Sequence, residues 1–172
     1  FNVLNEEDPS LQVKWEKESQ EIQIHVMGPI QLEVLKRVVQ DRFGLTIDFE
    51  EPSIIYKETI RDQVFGYGHF EPLGHYAEVH LKIESGERGS GIVFENLCSG
   101  DDLSSGRQNL VKHHIFEKEH NGLLTGSALT DLKIALITGK AHNKHTSGGD
   151  FREATCRALR QGLEKADNIL LE

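Results

Sequence analysis

The spacing of apolar residues changes period at Gly28-Pro29, and this change constrains the fold more than any other feature of the chain. Before it, Leu11, Val13 and Trp15 alternate with Gln12, Lys14 and Glu16, and Ile22, Ile24 and Val26 repeat the pattern. Period two marks a half-buried strand. The polar Glu18-Ser19-Gln20 between the runs predicts a hairpin turn. Pro29 fits the first turn of a helix. After it Ile30, Val34, Leu35, Val38 and Val39 form one apolar stripe, with Glu33, Lys36, Arg37, Gln40 and Asp41 on the wet face. Gly44 ends that helix. Leu45, Ile47 and Phe49 alternate again, and Pro52 leads into Ser53-Ile54-Ile55-Tyr56. The opening Phe1-Asn2-Val3-Leu4-Asn5 reads as a helix end, stopped ahead of Pro9. This order predicts a ferredoxin-like βαββαβ unit without its first strand and most of its first helix. An extended link near Glu58–Arg61 predicts two domains, 1–60 and 61–172.

The second part predicts a strand from Val64 to Phe70, a turn at Glu71-Pro72-Leu73-Gly74, and a strand from Tyr76 to Ile83. Ala77, Val79, Leu81 and Ile83 share one face of the latter. A glycine-rich loop to Gly91 and a third strand, Ile92-Val93-Phe94, follow. Ser104 or Ser105 caps a helix reaching to about His120, with Leu110, Val111, Ile115 and Phe116 inward. Asn121-Gly122 ends it. A strand spans Leu129–Ile137, then a polar loop Lys140–Gly149. In the last helix Phe151, Thr155, Ala158, Leu159, Gly162, Leu163 and Ala166 fall at helical spacing. The fold class is α+β.

Hydrophobic residues at 37% and charged residues at 27% place the chain among globular proteins. A net charge of −9 argues against a protein that coats nucleic acid over its whole surface. It leaves room for a local basic tip on an acidic body. Residues 1–60 hold six Lys/Arg against twelve Asp/Glu, and eight of the nine histidines lie beyond them. Cys98 and Cys156 read as two buried free thiols in a reducing compartment. The apolar runs are too short for a membrane-spanning helix. With no secretory leader read at its start, the chain is expected to be cytoplasmic, and Phe1 in place of Met suggests a piece of a longer protein.

No Gly-x-x-x-x-Gly-Lys-Ser/Thr phosphate loop and no Gly-x-Ser-x-Gly elbow occur, so GTP binding and nucleophilic catalysis are not expected. Gly86-Glu87-Arg88-Gly89-Ser90-Gly91 lies between two strands and opens no helix, which makes it a hairpin turn and not an anion cradle. His142-x-x-His145 has ligand-like spacing, and His113-His114 sits on a helix. Zinc needs three or four convergent donors, and adjacent helical histidines diverge, so no metal site is expected. An alternative of another class is a metal-dependent enzyme built on His69, His75, His80 and His142. Lys140-Ala141-His142-Asn143-Lys144-His145-Thr146-Ser147 carries two lysines, two histidines and no carboxylate. It is either a solvated loop or a cationic tip that touches phosphates and base edges.

Glu6-Glu7-Asp8-Pro9-Ser10-Leu11, Met27-Gly28-Pro29-Ile30-Gln31-Leu32-Glu33-Val34 and Glu51-Pro52-Ser53-Ile54-Ile55-Tyr56-Lys57-Glu58-Thr59 together resemble the third domain of the elongation factor G superfamily of translational GTPases. Arg88-Gly89-Ser90-Gly91, Gly122-Leu123-Leu124-Thr125-Gly126 and Leu170-Leu171-Glu172 resemble short signatures of its fourth domain. Gly28–Val34 and Gly149-Asp150-Phe151-Arg152 look more like the ribosomal-protection tetracycline resistance branch. That branch has a Ser-Pro-Val-Ser type tip where this chain reads Asn143-Lys144-His145-Thr146, and His142 matches a tip histidine of elongation factor G proper.

The resemblance implies a truncated ferredoxin-like domain followed by one similar to domain 2 of ribosomal protein S5, with a left-handed βαβ crossover. It implies no cofactor in this stretch; GTP and magnesium belong to a missing GTPase domain. The implied partner is the ribosome, at the 16S rRNA decoding region of the small subunit, with no DNA and no membrane. The implied contact residues are Lys140, His142, Asn143, Lys144, His145, Thr146 and Ser147, with His69, Pro72, Leu73 and His75 in a second tip loop. Arg152 and the backbone at Gly148-Gly149 extend that tip.

Overall fold

The computed structural model describes residues 1–17 and 20–172. The expected turn at Glu18-Ser19 lies outside the described residues. The fold is α+β, and the chain separates into two compact units, Phe1–Ser53 and Ile54–Glu172.

The first unit holds α1 (Asn2–Glu7), a 3-10 turn (Pro9–Leu11), β1 (Lys14–Glu16), β2 (Glu21–Gln23) and α2 (Pro29–Phe43). Asp8 stops α1 and accepts the Ser10 N–H at 3.1 Å, so the chain turns at Pro9. The expected strand alternation holds for three residue pairs only, Lys14 opposite Gln23 to Glu16 opposite Glu21. Leu11 falls in the 3-10 turn and Gln12 is left-handed, which ends the strand early. Trp15 and Ile22 face each other across the ladder but stay exposed. Gly44 closes α2 in the left-handed region at φ 64°. The core is Leu4, Leu11, Leu35 and Val39, with Val13, Ile24, Val26, Val38, Ile47 and Phe49 packed on it. Two expectations need correction. Ile30 and Val34 continue the stripe of α2 yet remain exposed. Ile47 and Phe49 alternate in burial as a strand would, but no described residue pairs with them in a ladder. Their side chains find the core without their backbone finding a hydrogen-bonding neighbour.

The second unit is built on a four-stranded sheet of β4 (Gln63–Phe70), β5 (Ala77–Ser85), β7 (Leu132–Ala141) and β6 (Ile92–Asn96), in that spatial order. β4, β5 and β7 are antiparallel neighbours, and β6 runs parallel to β7. Ala77, Val79, Leu81 and Ile83 are fully buried, as are Leu132, Ile134 and Leu136 beside them. Helices α3 (Ser105–Phe116) and α4 (Gly148–Lys165) complete the core with Val111, Ile115, Phe151, Ala154, Ala158, Leu159 and Leu163. In α3 it is His114 that turns inward while Phe116 is half exposed, opposite to the expectation for Phe116. α4 also covers the free edge of β4. Gln161 accepts the Tyr67 N–H at 2.7 Å, and Arg157 and Lys165 donate to the His69 and Phe65 carbonyls at 3.0 and 3.5 Å. An edge strand satisfied in this way is a poor template for another chain.

Gly86–Gly91 is not a hairpin turn. β7 lies between β5 and β6, so the loop crosses the start of β7. Asp131, at φ 54°, pins it: its carbonyl accepts the Gly86 N–H at 2.7 Å and its carboxylate the Gly91 N–H at 3.1 Å. The loop's donors are thus partly used within the protein.

The expected boundary at residue 60 also moves. Lys57–Ile60 is a strand, β3, paired antiparallel with β8 (Asn168–Leu171). Glu58 and Ile60 are fully buried and Thr59 is nearly so, which ties this segment to the second unit. Residues 50–56 are exposed. Limited proteolysis should therefore cut at 50–56 and spare 58–62; first cuts inside 58–62 would show that β3 does not hold its place in the sheet.

Candidate nucleic-acid interface

β4 and β5 end at a turn, and β7 runs into α4 through a loop. The antiparallel register brings both connections to the same end of the sheet, with Phe70 opposite Ala77 and Ala77 opposite Ala141. The strand carries further than its apolar pattern suggests, so Lys140 is the penultimate residue of β7, opposite Glu78. The loop proper is His142–Ser147.

The two connections are hydrogen-bonded into one tip. The Thr146 hydroxyl donates to the Tyr76 carbonyl at 2.6 Å and accepts the His142 N–H at 2.8 Å. The Tyr76 N–H donates to the His145 carbonyl at 2.8 Å. His75 Nδ1 lies 2.9 Å from Asp150 Oδ1, linking the first turn to the start of α4. Asp150, buried at position three of that helix, accepts both the Ser147 N–H and the Ser147 hydroxyl at 2.8 Å. Burial works against the charge on Asp150, but the Ser147 donors and His75 outweigh it and hold the carboxyl below the usual range. A depressed carboxyl stabilises the fold above its unfolded value of about 3.9 and loses that contribution as pH falls through its folded value.

On this frame His142, Asn143, Lys144, His145 and Ser147 are exposed and Thr146 is half-buried as the tie. The His142 and His145 rings stack at 4.7 Å with 22° between planes. In the first turn, Pro72 accepts the His75 N–H at 2.9 Å, Gly74 takes φ 80°, and Leu73 projects fully into solvent. A Cβ added at Gly148 or Gly149 would meet nothing within 4 Å, so the backbone at the head of α4 is open to a ligand. The N-terminal end of a helix attracts anions, and here the buried Asp150 carboxylate already supplies one.

Other expected contributors go elsewhere. Arg152 grips Glu117 with bonds of 2.8 and 3.0 Å, joining α4 to α3, and does not extend the tip. His69 lies 2.8 Å from Glu71 and His80 lies 2.6 Å from Glu78. His69, His75, His80 and His142 thus each have a separate partner and form no common centre. Among the described residues, the donor atoms that do converge belong to His113, His114 and Glu117. The adjacent histidines share Glu117, contrary to their expected divergence. Its carboxylate already serves Arg152, which with His114 holds it below the usual range. A metal on His114 Nδ1 would force a proton onto the buried Nε2, which has no partner. The triad is better suited to a hydrogen-bonded node built on the Arg152–Glu117 ion pair.

Sequence reasoning missed Tyr76 and Asp150 as the residues that organise the tip. Ser147-x-x-Asp150 has capping-box spacing, a signal that could have found the second.

Residues 52–167 match the family described as Elongation factor G, domain IV, and residues 1–51 match Elongation Factor G, domain III. Among solved structures, the crystal structure of ttk003000868 from Thermus thermophilus is similar at 28% identity and a TM-score of 0.67. The likeness covers 99% of this chain and 26% of that one, so the chain spans about a quarter of the length of its structural relative.

Proposed function

The chain belongs to the elongation factor G family, carrying its domains III and IV, and we propose that it is the ribosome-binding part of a translational GTPase. These two domains carry no catalytic GTPase site; GTP and magnesium belong to the family's GTPase domain. The tip of the second unit is the part that meets RNA, at the decoding region of the 16S rRNA in the small subunit. The observation that carries this reading is the Thr146–Tyr76 tie. It joins two separate connections into one presented surface with Lys140, Lys144, His142 and His145 outward. An acidic body limits indiscriminate RNA binding, and the tip supplies a local cationic contact.

Two versions of the parent activity fit. Displacement of tetracycline is supported by the likeness of Gly28–Val34 to the resistance branch. Gly149–Arg152 adds less support, because the fold itself uses Asp150 as a cap, Phe151 as core and Arg152 as the partner of Glu117. Translocation is supported by His142 at the tip and by Asn143-Lys144-His145-Thr146 in place of a Ser-Pro-Val-Ser type sequence. Growth on tetracycline with the parent protein expressed, set against its translocation rate, separates them.

The shared reading is tested by the triple variant K140A/H142A/K144A. All three side chains are exposed, and such changes move stability by less than about 0.5 kcal/mol. The variant should melt with the parent but bind ribosomes more weakly. The salt dependence should flatten by about one unit of slope per lost phosphate contact. Ribosome binding equal to the parent's would refute the proposal.

A further inference from the structure

We propose that RNA binding by the tip is coupled to proton uptake at the stacked pair His142–His145, with His142 acting as a proton-controlled latch on its loop. The proposal rests on the reading of the tip as an RNA contact.

The Lys144 N–H donates to His142 Nδ1 at 3.3 Å. Nδ1 can accept that N–H only while the ring is neutral with its hydrogen on Nε2. The His145 N–H also returns to the His142 carbonyl at 3.2 Å, which closes the turn beneath the ring. Protonating His142 places a hydrogen on Nδ1 and expels the Lys144 N–H from its acceptor. That N–H is then free to donate to a phosphate oxygen, beside an imidazolium.

The charge around the pair explains why an external anion is needed. With ring centroids 4.7 Å apart, a proton on one imidazole disfavours a second on its neighbour. Lys144 lies between them in sequence, and Lys140 stands at the end of β7. No carboxylate occurs from Lys140 to Ser147. Of the carboxylates bonded to the two tip connections or to the end of β7, Asp150 is engaged with His75 and Ser147, Glu71 with His69, Glu78 with His80 and Tyr76, and Asp102 with Thr138. An RNA phosphodiester supplies the missing negative charge and draws a proton from solvent onto the pair. Histidine is the side chain suited to this exchange near neutral pH.

The test uses the 172-residue chain and an RNA hairpin of the small-subunit decoding helix. Affinity for the hairpin should fall about tenfold between about pH 6 and pH 8. Calorimetry in buffers of different ionisation heat should show proton uptake on binding. The variant H142Q/H145Q should bind more weakly and with the same affinity across that range. In the free chain, the Lys144 amide resonance should move in step with the titration of the His142 ring.

A pH-independent affinity that K140A/K144A still lowers would overturn the proton coupling and leave the RNA contact standing. No binding of the hairpin at any pH would overturn both. A Lys144 amide that ignores the titration of His142 would overturn the latch.

Discussion

Replacing Glu58 by alanine is expected to destabilise the second unit by about 3–5 kcal/mol, the cost of emptying one side of a buried charged network. Glu58 is fully buried in β3. Its carboxylate accepts the Leu124 N–H and the Thr125 N–H at 2.9 Å, the Thr125 hydroxyl at 3.0 Å and the Ser127 N–H at 3.2 Å. The same loop reaches Glu58 at Gly122, where an added Cβ would fall 2.0 Å from the carboxylate. Alanine leaves three backbone donors without their acceptor, each costing about 1–3 kcal/mol if water does not replace it. For a unit of this size the melting temperature should drop by roughly 10–20 °C.

The pH dependence has a definite sign. Burial raises the carboxyl, but the bonds from Leu124, Thr125 and Ser127 outweigh it and hold Glu58 below the usual range. Its contribution is complete above the unfolded value of about 4.3 and disappears as pH falls through the lowered folded value. The stability gap between parent and E58A should therefore be constant at neutral pH and close only in acid. Circular-dichroism melts of parent, E58A and E58Q check this. The glutamine amide offers one acceptor and turns two donors toward donors, so E58Q should fall between the other two. Equal melting of parent and E58A would show that water serves the loop as well as the carboxylate does.

G68A should be nearly as disruptive although it adds a single methyl group. A Cβ at Gly68 would stand 1.7 Å from the Ala154 carbonyl oxygen, and one at Gly66 1.8 Å from that of Ala158. Both obstacles are helix backbone, so relief requires α4 to move away from β4. Overpacking of this kind costs about 1–3 kcal/mol, with the upper end expected where no side chain can yield. The displacement would carry Asp150 and the head of α4 away from His75 and loosen the tip. G68A should therefore lower both the denaturation midpoint and ribosome binding, coupling a core contact to the proposed function. The contrasting variant is G106A, in the first turn of α3, where a Cβ meets nothing within 4 Å. It should be neutral or stabilising by up to about 1 kcal/mol. If G68A and G106A behave alike, the close seat of α4 on β4 is not rigid.

The sequence by itself determined the elements whose signals are local. The alternation in Ala77–Ile83 and Leu132–Leu136 reports strands because one face of each is fully buried. Pro29 and Gly44 bound α2 because their backbone preferences act within a turn. Short motifs with an order along the chain were enough to suggest the family before any geometry was known. The tip loops were visible as polar segments, and their charge as a count. Tertiary structure decided what depends on a partner distant in sequence. Periodicity tells which face of a strand is buried but not which strand lies beside it. Thus β7 came between β5 and β6, β3 found β8 more than 100 residues away, and Ile47 and Phe49 packed with no ladder partner among the described residues. The stripe of α2 was equally apolar throughout, yet only the part covered by other elements became core, and Ile30 and Val34 stayed in solvent. Glu58 looks like an ordinary surface acid in the sequence, and its role arises from donors 66–69 residues away. Asp150 has its Ser147 donors three residues away, at a spacing the sequence shows, but its link to His75 spans 75 residues. A buried carboxylate is tolerated only where the folded chain brings such donors to it, and residue spacing along the chain does not encode that convergence.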